Sequence, residues 1–136
     1  MSNIVIVSAK RTPVGAFQGA YANVSATQLG AYALKSAIIE AGLSPQDIDD
    51  VIMGCVLPAG TGQSPARQAL IKAGLDKKTS ALTVNKVCGS GLRAIMIAHD
   101  MLKAGSTKIV AAGGMENMTC APYFLPKARE GFRMGH

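Results

Sequence analysis

Four short apolar runs punctuate this chain, and stretches with helical spacing separate them. The runs are "NIVIVSA" (3–9), "DVIMGCVL" (50–57), "ALTVNKV" (81–87) and "KIVAAGG" (108–114). Each is nearly continuous in apolar residues, the mark of a strand covered on both faces. After the first run, Pro13, Gly15 and Gly19 punctuate a loop. Ser25-x-x-Gln28 then has capping-box spacing, and positions 26, 29, 30, 33, 34, 37, 38 and 41 keep a helical period until Gly42 and Pro45 end it. Ser64-Pro65 supplies an N-cap and first-turn pair for a second helix, which ends at Gly74. Residues 89–105 carry a third helix, closed by Gly105. The order β, α, β, α, β, α, β predicts an α/β fold: a parallel-rich sheet with right-handed crossovers and helices on both faces. After Gly114 the regular pattern stops, and "MENMTCAPYFLPKAREGFRMGH" reads as the opening of another region.

Composition agrees with a filled core. Of 136 residues, 49% are hydrophobic and 16% charged, which excludes disorder. A chain of this length is of one-domain size and buries roughly 68–70% of its unfolded surface. Aromatics are 4% with no Trp, so aliphatic side chains and the 15 glycines do the packing. A stacking platform for single-stranded nucleic acid is not expected from so few rings, and no nucleic-acid partner is predicted. The net charge of +6 lies wholly in residues 77–136; residues 1–76 are balanced. A basic half suits an anionic partner, and it equally suits a solvated face or an acidic neighbouring surface.

Cys55, Cys88 and Cys120 are an odd set with no CxxC or Cys/His spacing, so neither a disulfide framework nor a metal site is predicted. The first apolar run is too short for a signal or membrane segment. Together these features predict a soluble, cytoplasmic protein with free thiols and no membrane partner.

The stretch "TVNKVCGSGLRAI" (83–95) carries the chemistry. Ligands of an open parallel sheet gather at the carboxyl ends of its strands, where Cys88 falls. Cys88 also falls at a helix N-terminus, where unpaired amides and the helix dipole favour a thiolate. Gly89 and Gly91 would keep side chains away from the sulfur, and an amide of this turn would serve an oxyanion. The arrangement parallels the strained strand-to-helix elbow that exposes a hydrolase serine. Two other readings compete: Cys88 as a small buried residue, and Gly89–Ala94 as a G-x-G-x-x-A dinucleotide fingerprint with Glu116 as its acid. That fingerprint normally follows the first strand, whereas here it follows the third.

"VNKVCGSGLRAI" closely resembles the acyl-enzyme segment of the thiolases. "SAKRTPVGAFQG" (8–19), "VLPAGTGQSPARQA" (56–69) and "GGMENMT" (113–119) resemble other thiolase segments, in the same order, and the likeness runs from Asn3 onward. Thr119, where Ser is common, and Cys55, where Gln is frequent, are small departures. The resemblance implies a thiolase-like first half-domain over residues 1–119, lacking its last strand, and the start of an inserted loop domain over 120–136. It implies coenzyme A thioesters as substrates, no covalently bound cofactor, and a homo-oligomer, a dimer or tetramer when complete. It also implies ping-pong condensation of two acetyl-CoA into acetoacetyl-CoA, or the reverse thiolytic cleavage of a 3-ketoacyl-CoA, through an acyl-thioester on Cys88.

In that family the remaining groups are a histidine, a second cysteine in Cys-x-Gly and an asparagine, all from the C-terminal half. No local residue replaces them. His99 lies on the same helix as Cys88, about 16 Å along its axis. His136 is the last residue, and Cys120 is followed by Ala-Pro. Lys86 and Arg93 flank Cys88 and would add positive potential. The 136 residues are therefore expected to be the inactive amino-terminal part of a longer enzyme, or else a non-catalytic half that assembles with a partner chain. Either way, the apolar helix face over 92–102 is expected to lie partly uncovered.

Overall fold

The computed structural model describes residues 3–131. Its elements in chain order are α1 (Ala26–Glu40), β1 (Asp50–Gly54), α2 (Pro65–Ala73), β2 (Ser80–Val84), α3 (Ser90–Ala104) and β3 (Val110–Gly114). The strands form one parallel sheet in the order β2-β1-β3, with Asp50 opposite both Ser80 and Val110 and Gly54 opposite both Val84 and Gly114. Strand alternation then divides the core. Val51 and Met53, with Cys55 just beyond the strand, pack against Leu34, Ile38, Ala69 and Leu70 of α1 and α2. Ile52 packs on the other face against Ala94 and Ala98 of α3. Central β1, covered on both faces and flanked on both edges, is buried from Val51 to Gly54. The predicted parallel sheet with helices on both faces is what the chain forms.

One predicted strand is absent. Residues 3–9 run extended and largely exposed, with Val5, Ile6 and Val7 each about two-thirds exposed or more. An apolar run becomes a strand only where a sheet edge accepts its backbone groups. Here β1 and β3 pair with each other, and the run has no ladder partner among the described residues. The other three strands appear but end early, at Gly54 and Val84, or start late, at Val110.

The helices follow their local signals closely. Ser25 caps α1, its Oγ accepting the Gln28 N–H at 3.2 Å. Pro65 opens α2, but Ser64 sits left-handed at φ 44° and makes no side-chain cap. Thr83 of β2 does that work instead, its hydroxyl accepting the Ala66 N–H at 2.9 Å. Gly74 and Gly105 close α2 and α3 in the left-handed conformation that glycine tolerates. On α3 only Ser90, Ala94 and Ala98 are buried, while Leu92, Ile95 and Met96 are exposed, so the expected uncovered face is present. No helix among the described residues is long and apolar enough to cross a membrane. Residues 121–131 are exposed throughout and hold only a short 3-10 turn at Ala128–Glu130.

Two contacts set the spacing of this framework. At the carboxyl end of β1, a Cβ on Gly54 would lie 2.6 Å from the Gly91 nitrogen and from the Ser90 carbonyl carbon. At the other end, the Asp49 carboxylate accepts the Lys108 and Ile109 N–H groups at 2.7 and 3.0 Å, fastening the start of β3 beside β1. These amides, Lys108 first, hold the Asp49 pKa below its ordinary 3.8.

Both contacts can be tested by unfolding measurements. Gly54→Ala forces backbone apart and should cost about 1–3 kcal/mol in chemical denaturation. An unchanged midpoint would mean that α3 does not sit this close. The Asp49 carboxylate contributes its full share of stability above 3.8, its value in the unfolded chain, and loses it as pH falls through the lower folded value. Asp49→Asn should therefore lower the melting temperature near neutral pH and flatten its decline in acid. An acid slope as steep as that of the parent would rule the carboxylate out.

Candidate active site

The segment 85–89 leaves the sheet and enters α3 within five residues. It does so through Val87, whose φ of 50° lies in the left-handed region. A β-branched residue is strained there, at a cost of roughly 1–3 kcal/mol. Surrounding bonds hold it in place. The Val87 N–H donates to Asn85 Oδ1 at 2.9 Å, and the Val87 carbonyl accepts the Ser90 hydroxyl at 2.5 Å and the Ser90 N–H at 3.1 Å. The same hydroxyl accepts the Lys86 N–H at 2.8 Å. The expected strained elbow is thus real, with the strain one residue before the cysteine.

Cys88 follows, exposed, immediately before the helix-capping residue Gly89. Exposure removes the reading of Cys88 as a small buried filler. The Gly89 N–H is already committed to the Lys86 carbonyl at 3.1 Å, while the Cys88 N–H has no acceptor among the described residues. Gly91 lies one turn of backbone further on, against Gly113 and Gly114 at the end of β3. Lys86 is exposed, Arg93 is half-buried, and His99 is exposed with its Nδ1 3.2 Å from Asp100 Oδ1. His136 lies outside the described residues.

The other thiols are placed differently. Cys55 is buried with its Sγ 3.8 Å from Glu116 Oε1. Burial chiefly, and the adjacent carboxylate next, push its thiol above the ordinary 9.0. Cys120 is exposed, and its Sγ lies 3.3 Å from the Ala22 carbonyl oxygen.

The segment after β3 draws the loops together, a role that spacing alone did not reveal. Glu116 accepts the Val56 and Leu57 N–H groups at 2.7 and 3.2 Å. Asn117 Nδ2 donates to the carbonyls of Tyr21 and Val24, each at 2.7 Å, and Thr119 Oγ1 accepts the Gln18 N–H at 2.9 Å. Asn85 Nδ2 reaches the Val56 carbonyl at 3.1 Å. All four quoted segments therefore meet at the carboxyl end of the sheet. Both Glu116 oxygens are occupied by protein amides, so this acid does not stand free for the ribose of a dinucleotide. The usable signal was position: polar residues just past a buried parallel strand sit where loops converge.

Two clefts lie elsewhere. One, of about 150 Å³, separates Lys10–Thr12 from Gly114–Glu116. Another, of about 390 Å³, runs beside Pro13, Tyr21 and Tyr32. Cys88 lines neither and stands on open surface.

Residues 4–136 match the family described as thiolase, N-terminal domain. The chain belongs to the thiolase family. It is similar to the acetyl-CoA acetyltransferases of Cupriavidus necator, at 56% identity over 99% of this chain, and of Escherichia coli, at 54% over 99%. A probable acetyl-CoA acyltransferase of Staphylococcus aureus is 50% identical over 100% of it. The chain spans about a third of the length of these curated relatives, 34–35% in each case.

Within this thiolase chain the three thiols should differ in reactivity. Brief iodoacetamide treatment at neutral pH followed by peptide mapping should label Cys88 and spare Cys55. Labelling of Cys55 as fast as Cys88 would contradict the burial and raised pKa assigned to it.

Proposed function

We propose that Cys88 is the acyl-accepting nucleophile of an acyltransferase working on coenzyme A thioesters. The relatives' names and the exposed cysteine on its strained turn support this reading. In the synthetic direction the deprotonated Cys88 sulfur attacks the carbonyl carbon of acetyl-CoA. The carbon–sulfur bond to coenzyme A breaks, the departing thiolate takes a proton, and an acetyl-thioester remains on Cys88. A base then removes an α-proton from a second acetyl-CoA. The resulting carbanion attacks the acetyl-thioester, releasing the Cys88 thiolate and acetoacetyl-CoA. In the thiolytic direction the same bonds form and break in reverse.

This chain supplies the sulfur and the Cys88 N–H, which points the oxyanion-stabilising role to the nucleophile's own amide, with Gly89 and Gly91 keeping the turn narrow. Among the described residues no histidine lies beside the sulfur: His99 lies along α3, its Nδ1 3.2 Å from Asp100 Oδ1. On this reading the histidine, second cysteine and asparagine come from the remainder of the relatives' length, and residues 1–136 alone are inactive. Residues 1–119 form the first half-domain, and 120–136 begin the inserted region. The cleft between Lys10–Thr12 and Gly114–Glu116, beside the free edge of β3, would take the missing strand and give residues 3–9 a ladder partner. Cytoplasmic location and a homo-oligomer, a dimer or tetramer, belong to the same proposal.

The exposed apolar residues of α3 favour a second reading, a non-catalytic half that assembles with a partner chain. One experiment separates the two. The full-length protein, incubated with acetyl-CoA and analysed by mass spectrometry, should carry one acetyl group on Cys88, and Cys88→Ala should carry none. Full-length protein that folds, assembles and takes no acetyl group would leave the assembly reading standing.

A further inference from the structure

We infer that Asn85 and Ser90 are positioning residues for Cys88, holding Val87 left-handed so that the sulfur is presented at the head of α3. The inference rests on Cys88 being the acyl-accepting group, and neither residue need touch substrate. Val87 is 66% exposed, so packing of its own side chain does little to keep it in a strained conformation. Both polar groups of its backbone are gripped by side chains instead. Asn85 Oδ1 takes the N–H at 2.9 Å, and the Ser90 hydroxyl bonds the carbonyl at 2.5 Å.

Each of these side chains also has a second anchor. The Ser90 hydroxyl accepts the Lys86 N–H at 2.8 Å, and the residue is buried, at 3% exposure, beside Gly54, where no Cβ intervenes. Asn85 Nδ2 donates to the Val56 carbonyl at 3.1 Å, fixing the turn to the loop beyond β1. An ordinary helix-capping serine stands before the helix and bonds the amides of its first turn. Ser90 is the first helical residue and bonds backward, into the turn that carries the cysteine. If these bonds are lost, Val87 relaxes toward negative φ, and Cys88, the next residue, swings with it.

The test uses the full-length protein with Ser90→Ala and, as a milder change at an exposed position, Asn85→Ala. Single-turnover acetylation of Cys88 should slow about 10- to 100-fold in each, as expected for a misplaced nucleophile. Binding of a non-reactive thioether analogue of acetyl-CoA should change by less than about threefold, because the binding groups are untouched. Iodoacetamide labelling of Cys88 should change as well, which reports the sulfur's setting without acyl chemistry.

A third variant separates positioning from general support. Glycine adopts positive φ freely, so in a Val87→Gly background Ser90→Ala should slow acetylation by less than about threefold further. Unchanged acetylation and alkylation in well-folded Ser90→Ala and Asn85→Ala proteins would overturn the inference. So would an equal penalty with and without Val87→Gly. Cys88→Ala that still acquires an acetyl group would overturn the underlying reading, an outcome distinct from any rate in the other variants.

Discussion

Everything at the carboxyl end of this sheet depends on how closely α3 can approach it. Three backbone segments without side chains meet there: Gly54 ending β1, Gly91 in the first turn of α3, and Gly114 ending β3. A Cβ at Gly54 would fall 2.6 Å from Gly91 backbone, and one at Gly114 would fall 3.3 Å from the Gly91 Cα. Close packing leaves no slack to absorb such atoms, so the helix would have to lift. Ala94 and Ala98 continue the close approach along the face that covers Ile52. The distance between helix and sheet sets where the turn before the helix must stand, and therefore where Cys88 stands.

A short turn under this constraint has to reverse direction quickly, and Val87 does so in a conformation its side chain disfavours. The strain persists because its surroundings over-determine it. Those surroundings extend outward from the turn. Asn85 reaches the loop beyond β1 through the Val56 carbonyl, and Glu116 holds the neighbouring Val56 and Leu57 amides. Asn117 and Thr119 then bind the loop before α1. The segments that resemble thiolases are thus parts of one connected hydrogen-bonded assembly. Their joint appearance in the sequence has a structural basis as well as a chemical one.

What could be seen in the sequence was what neighbouring residues decide. Ser25 and Gln28 announced the start of α1, Pro65 and Gly74 bracketed α2, and the strand-to-helix junction at Cys88 stood out by composition. What could not be seen was decided by distant partners. Residues 3–9 have a strand's composition but no ladder partner among the described residues, which periodicity cannot report. Ser64 looked like a cap, and the bond went to Thr83 from another strand. Valine gives no hint that its φ will be positive, so the strain was expected at the elbow but not assigned to Val87. Glu116 was weighed as a ribose-binding acid because its partners, some sixty residues earlier, were invisible along the chain.

Cys88 stands two residues before α3, the helix that carries the uncovered apolar surface, and on the proposed reading this couples assembly to chemistry. Leu92 begins the exposed stripe four residues after Cys88, about 6 Å along the axis, and Ile95 and Met96 continue it. On that spacing, a protein surface that buries this stripe would lie close to the turn that carries Cys88. On the proposed reading, the remainder of the relatives' length is that surface, and it carries the base that Cys88 lacks. Removing apolar area from water would then drive the same docking step that completes the catalytic set. On that reading the open setting of Cys88 follows from the division: a sulfur that would meet two thioesters in turn, and a base from another part of the protein, is best held rigidly on a turn whose far side stays clear.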